Sequence, residues 1–299
     1  MKGIYNMDFV ISKNGAEAKV TSKGAVLTSF VCGGKNYVWC GDAKYWSGQA
    51  PCLFPVVCRP LNDKVSFDGV EYPMTKHGFV RNAEFTPVEV TPDTVVLQYG
   101  ANEETKKMYP FEFNLKVTQS VTENSFTTAY TVENKGETPM PFCIGGHPAF
   151  NCPMNEGESF SDYSLLFEDA EGATDVNVDL PEGYRNPANK PLGKIKDNEL
   201  KLVYSDYDND AIIIEGLNKK SVKLVNRESG KGIKFDFDSF DCIGIWTPIK
   251  ADAPFVCLEP WNGVPAGIDE TSEFMSKKYA RILQPGESFT TSYTATVID

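Results

Sequence analysis

The chain has 299 residues, 41% of them hydrophobic and 12% aromatic, with no low-complexity tract, which describes a fully folded protein able to bury a sizeable core. Its 41 acidic residues against 29 basic ones give a formal charge of -12, a field that repels phosphate backbones and anionic lipid and so argues against nucleic-acid and membrane partners. The opening residues lack the apolar core of a signal peptide, and no segment approaches the roughly 20 apolar residues that span a bilayer. Eight cysteines without a C-x-x-C pair read as reduced, buried thiols, so the expected location is cytoplasmic.

From the N-terminus, F-V-I-S followed by K-N-G predicts a strand and a turn, and residues 18–39 repeat the theme. Residues 94–99 form another β-rich run, and residues 102–108 predict one short helix. In residues 111–118, Phe111, Phe113, Leu115 and Val117 alternate with Glu112, Asn114, Lys116 and Thr118. That is the pattern of a half-buried antiparallel strand. Residues 122–124 turn the chain, and 126–132 alternate again before Asn134, Lys135 and Gly136 close a hairpin-like pair. Later runs at 211–214, 221–226, 232–237, 242–246, 255–258 and 288–298 behave alike. Residues 169–198, rich in Pro, Gly, Asn and Asp, read as an excursion or edge structure. No repeat or composition break divides the chain, so one all-β domain over residues 1–299, a sandwich or barrel, is expected.

Four stretches set polar groups inside apolar surroundings. Residues 139–153 read P-M-P-F-C-I-G-G-H-P-A-F-N-C-P and place His147, one of only two histidines, after Gly145-Gly146 and before Pro148. The glycines allow unusual φ or close approach of another group, and Pro148 pushes His147 out of the α region. A hydrogen-bonded core histidine is the plain alternative. Glu259 follows F-V-C-L and precedes Pro260-Trp261, which are expected to end the strand. A carboxylate in such a run is costly unless paired, unless alternation turns it to water. Arg59 ends L-F-P-V-V-C-R, and His77 and Arg81 lie in H-G-F-V-R-N-A-E-F. The arginines supply forked donors for sugar hydroxyls, carboxylate or phosphate if they face a pocket, and ordinary surface ion pairs if they do not. Trp39, Trp46, Trp246 and Trp261 are core residues or stacking platforms. Neither H-x-H nor H-E-x-x-H spacing occurs, and no phosphate loop is present, so no metal site is expected.

Together these stretches resemble the aldose 1-epimerase (galactose mutarotase) family, most closely its shorter bacterial branch. L-F-P-V-V-C-R is similar to the family's F-P-x-x-G-R, H-G-F-V-R to H-G-F-x-R, I-G-G-H-P-A-F to G-x-H-P-x-F, and C-L-E-P-W to its C-terminal glutamate motif. The resemblance implies a large antiparallel β-sandwich of the galactose mutarotase type, with a sugar cleft on a concave sheet. It implies Glu259 as catalytic base, His147 as catalytic acid, and His77 and Arg59 as residues that hold sugar hydroxyls. For the family's cleft aspartate, Asp210 is the best match, with Asp206 and Asp208 close by. Cys58 departs from the family's glycine.

The implied reaction interconverts α and β anomers by ring opening and reclosure and needs neither cofactor nor metal. Glu259 serves as base, and a neighbouring carboxylate such as Asp210 is expected to raise His147 toward a protonated acid. The expected partner is a free hexose. The alternatives are a hexose 6-phosphate, held by Arg59 and Arg81, or a non-catalytic carbohydrate-binding or sensing protein on the same fold.

Overall fold

A computed structural model describes residues 6–176, 178–186 and 193–299. Among them, two large antiparallel sheets dominate, of nine and seven strands. The nine-stranded sheet runs Glu199–Lys201, Tyr163–Phe167, Ser221–Asn226, Gly232–Asp236, Ser288–Ile298, Ser125–Asn134, Phe113–Val121, Thr94–Gly100, Thr86–Val90. Its central strands carry the alternation read from the sequence: in Phe113–Val121 the odd-numbered residues are all buried. Phe111 and Glu112 fall outside that strand, because Phe111 leaves the ladder to pack edgewise on Phe67 at 4.9 Å.

The seven-stranded sheet runs Thr174–Val176, Ile212–Glu215, Cys242–Trp246, Phe255–Asn262, Ile144–Gly146, Cys52–Leu53, with Ala149–Asn151 also pairing to Phe255–Asn262. One of its faces closes the core. Phe150 from this sheet stacks with Phe126 at 6.2 Å and meets Phe235 edgewise at 5.8 Å, both from the other sheet. Val256 and Leu258 join the same buried cluster. The short helix is Glu103–Lys106, capped by Asn102 accepting from Glu104 and Thr105, as a residue of its type does. Among its described residues, the 169–198 excursion contributes Thr174–Val176 at the edge of the seven-stranded sheet and a separate pair, Val178–Asp179 with Tyr184–Arg185; the rest of it includes residues outside those described. No helix among the described residues is long and apolar enough to cross a membrane.

Phe255–Asn262 does not end at Pro260 as the sequence suggested. Leu258 donates its N–H to the Pro148 carbonyl, and alternation turns the nitrogen of Pro260 to that same side. There the ladder is interrupted between Ala149–Cys257 and Gly145–Trp261. The missing N–H of proline therefore falls where no rung is made, and the strand continues.

Candidate active site

The other face of the seven-stranded sheet is the floor of a cleft of about 220 Å3. Its composition follows from pairing. Gly145 faces Trp261 and Ala149 faces Cys257 across two antiparallel strands, with residues 146–148 and 258–260 between them. Equal spacers put His147 directly opposite Glu259. Gly244 faces Glu259 on the far side, and Trp246 faces Cys257. Since side chains alternate, all of these lie on the cleft face while Val256, Leu258 and Pro260 turn to the opposite one.

Gly145 and Gly146 are needed for close approach and not for unusual φ, since neither has a positive value. A Cβ on Gly145 would stand 2.7 Å from Trp261, and one on Gly146 would stand 2.5 Å from Tyr293. Gly244 is likewise covered by the Trp261 ring, 2.6 Å from where its Cβ would be. The indole of Trp261 thus lies over two glycines from the flanking strands and forms a flat patch of the floor.

His147 Nε2 stands 3.1 Å from Glu259 Oε2, with Glu259 2% exposed and His147 8%. Trp46 stacks on the imidazole at 4.8 Å and Trp246 meets it edgewise at 5.5 Å. His147 Nδ1 has no hydrogen-bond partner among the described residues. Burial among these rings pushes the imidazole down to about 3 and pushes the Glu259 carboxyl well up, because desolvation penalises both charged forms. The Trp261 indole N–H makes no standard hydrogen bond to any described group, but it leans toward the carboxylate and offsets part of that rise. The expectation that Asp210 raises His147 is therefore overturned: desolvation moves the imidazole the other way, and the carboxylate against it is Glu259. Both shifts favour the uncharged forms, imidazole and carboxylic acid.

His77 sits at the cleft wall with a left-handed backbone, φ 67°, as do Cys58 at 60° and Asp210 at 74°. All three line the cleft. The motif segments that carry two of them are laced together. Cys58 N–H donates to His77 Nδ1 at 3.1 Å, His77 N–H to the Cys58 carbonyl at 2.9 Å, and Phe79 N–H to the Phe54 carbonyl at 3.1 Å. Because Nδ1 accepts, the ring proton is on Nε2. Burial, then the charges of His147, Lys76 and Arg81, keep His77 neutral. A positive φ at Cys58 also accounts for the glycine in the family pattern.

All six residues singled out from the sequence, Glu259, His147, Arg59, His77, Asp210 and Arg81, line this cleft. Their states differ. Arg59 gives both arms of its guanidinium to Asp63 at 2.8 and 2.7 Å, while Arg81 forms no ion pair among the described residues. Of the three neighbouring aspartates, only Asp210 lines the cleft, 3.7 Å from Lys76; Asp206 is held by Lys194 at 3.0 Å and Asp208 is exposed. Lys76 and Glu182 line the cleft without having been predicted. Both come from polar loops, where no hydrophobic pattern marks one residue above its neighbours. Three of the four tryptophans, Trp46, Trp246 and Trp261, face it, and Trp39 packs behind them on Phe255 at 4.6 Å.

The same fold occurs in solved structures. A galactose mutarotase-like protein from Lactobacillus casei superposes with a TM-score of 0.91 at 28% identity, covering 98% of this chain and 100% of that one. A galactose mutarotase related enzyme from Lactobacillus acidophilus gives 0.90 at 28% identity, covering 98% of each. Protein LacX of Lactococcus lactis subsp. lactis, in its plasmid form, is 35% identical over 273 residues, 89% of this chain and 91% of its own length. The aldose 1-epimerase family profile matches residues 7–292, a span that takes in the cleft and its floor, and the chain belongs to that family.

Proposed function

We propose that this protein is an aldose 1-epimerase that interconverts the anomers of a free hexose such as glucose or galactose. The observation that carries this reading is the His147–Glu259 contact at 3.1 Å in a buried cleft. A pair that shares one proton has two forms, imidazolium with carboxylate and imidazole with carboxylic acid. Transfer of the proton from Glu259 to His147 gives the first form, in which Glu259 takes the proton of the C1 hydroxyl while His147 gives its proton to the ring oxygen, the C1–O5 bond breaks, and the open aldehyde forms. The pair is left in its second form. After rotation about C1–C2, His147 recovers the proton from the C5 hydroxyl as O5 attacks C1, and Glu259 returns one to the new C1 oxygen. The proton count on the pair never changes, and no charge need enter or leave the dry site. Acid-base assistance of this kind contributes about 10²–10⁴-fold.

The remaining lining residues fit roles in holding the sugar. Trp261 offers a flat apolar surface for a pyranose face. His77 Nε2–H and Arg81 donate to hydroxyls, Asp210 accepts from them, and Arg59, fixed by Asp63, closes the rim. A hexose 6-phosphate is the weaker reading. Arg59 is already occupied by a carboxylate, and Glu182, Asp210 and Glu259 share the lining with the cations, which disfavours a phosphate dianion. Lys76 and Arg81, the two charges that act on both histidines, are the groups that would bind one. The unpaired thiols support a reducing compartment such as the cytoplasm.

Polarimetry of freshly dissolved α-glucose and α-galactose, with wild type beside His147→Ala, tests the reading; NMR of a hexose 6-phosphate is the parallel measurement. Acceleration of the free sugars by wild type alone is expected. Acceleration confined to the phosphate ester would move the assignment to the second reading. Tight sugar binding with no acceleration of any substrate would instead make the chain a binding protein.

A further inference from the structure

The Cys257 thiol lies just behind the cleft floor, on the same face of the strand as Glu259, and the proposed reaction does not use it. It lies one register position from Glu259 on the same face, fully buried beside Ala149, Trp39 and Phe255. Ligand atoms of His147, Cys257 and Glu259 all lie within 4.8 Å of one another. Donors around a tetrahedral zinc stand about 3.3–3.8 Å apart, as bond lengths near 2.0–2.3 Å require, so small side-chain rotations close this trio around an ion. The residues are 110 and 112 positions apart from His147 in sequence, so no spacing motif announces them.

We propose that His147, Cys257 and Glu259 form an inhibitory site for a thiophilic divalent cation of the zinc or cadmium class, which competes with the sugar. Three features beyond proximity point to it. The donor set of one imidazole, one thiolate and one carboxylate suits such ions and not magnesium or calcium, which take oxygen ligands. His147 Nδ1 makes no standard hydrogen bond to another described residue, so little holds the ring against turning toward an ion. Charge also balances: the cation enters, the thiol proton and the one proton of the His147–Glu259 pair leave, and the two anionic ligands neutralise the dication in a site that was neutral before. His147 and Glu259 line the cleft, so a fourth ligand, a water, would reach the ion from that side and take the place of the sugar.

The geometry stands apart from the proposed activity, although competition with the sugar rests on that reading. Titration of the protein with Co2+ tests the site directly, because a thiolate ligand gives a near-ultraviolet charge-transfer band. Wild type and Cys58→Ala are expected to show the band, and Cys257→Ala to lose it. Cys40→Ser serves as control for the exposed thiol. Loss of a direct ligand weakens the metal by at least about tenfold. If Cys257→Ala does not fold, Glu259→Gln with the thiol intact is expected to show the same weakening. No band in wild type, or a band lost in Cys40→Ser and kept in Cys257→Ala, overturns the site. Galactose is expected to suppress the band; a band that forms but ignores every hexose tested leaves the metal site standing and removes its competition with the sugar.

Discussion

His147 and Glu259 are cross-strand partners: the pairings Gly145–Trp261 and Ala149–Cys257 on either side set them opposite each other, and their side chains meet at 3.1 Å. Such neighbours share a face by the geometry of the sheet. If they act as one proton-sharing unit, their substitutions must not add. Glu259→Gln and His147→Asn are each expected to lower turnover by about 10²–10⁴-fold, and the double variant by little more than either alone. Polarimetry gives the rates and calorimetry the sugar affinity. Full multiplication of the two losses would separate their roles.

The acid side of the stability profile carries a second expectation. His147 falls from 6.5 when unfolded to about 3 when folded, and His77 also falls well below 6.5. Between these values the unfolded chain binds more protons than the folded one, so stability rises with pH through that window and levels off above about 6.5. Glu259 acts in the opposite sense, since its carboxyl is raised above 4.5 and the folded state holds the extra proton. Urea unfolding at a series of pH values is expected to show a net rise toward neutrality. In His77→Asn that acid limb should flatten, and an unchanged limb would mean that His77 is charged in the fold.

Gly244→Ala tests the flat floor. The added methyl group meets the Trp261 ring, 2.6 Å away, and tilts it toward the cleft. Loss of about 1.4 kcal/mol of stacking raises KM roughly tenfold. Turnover at saturation should change much less, because Glu259 and His147 keep their pairing. A fall in kcat alone would show that Trp261 acts on the reacting pair and not on the sugar.

Gly78→Ala probes the lacing of the two arginine-bearing motifs. Gly78 has φ 72°, and its Cβ would stand 2.0 Å from the Phe54 carbonyl oxygen, which is backbone and cannot swing aside. Left-handed strain and overpacking together are expected to cost about 2–5 kcal/mol. Thermal unfolding measures it, and a cost near zero would mean that the 75–79 segment is loosely held.

Much of this was legible beforehand, and the exceptions have physical causes. The β-rich runs located Ser221–Asn226 and Cys242–Trp246 to the residue, and both strands are buried at every position but Lys223 and Trp246. It could not follow Phe255–Asn262 through Pro260, because local rules treat proline as a breaker and only the neighbouring strand shows where an N–H is dispensable. All six singled-out residues reached the cleft because their motifs combine charge with apolar flanks. The electrostatics were not legible. Whether His147 is raised or lowered depends on Trp46, Trp246 and the distance to Glu259, which are set by pairing between segments far apart in the chain.

The pairing that puts His147 and Glu259 on one face has a consequence for how errors in folding are caught. A slip of one residue between the 144–151 and 255–262 segments would turn Val256 and Leu258 into the cleft and drive Glu259 into the dry interior. Such a chain would be too unstable to persist. Selection for a soluble, folded product therefore screens the alignment of the acid and base as well, and chains that fold at all arrive with the two groups already facing each other.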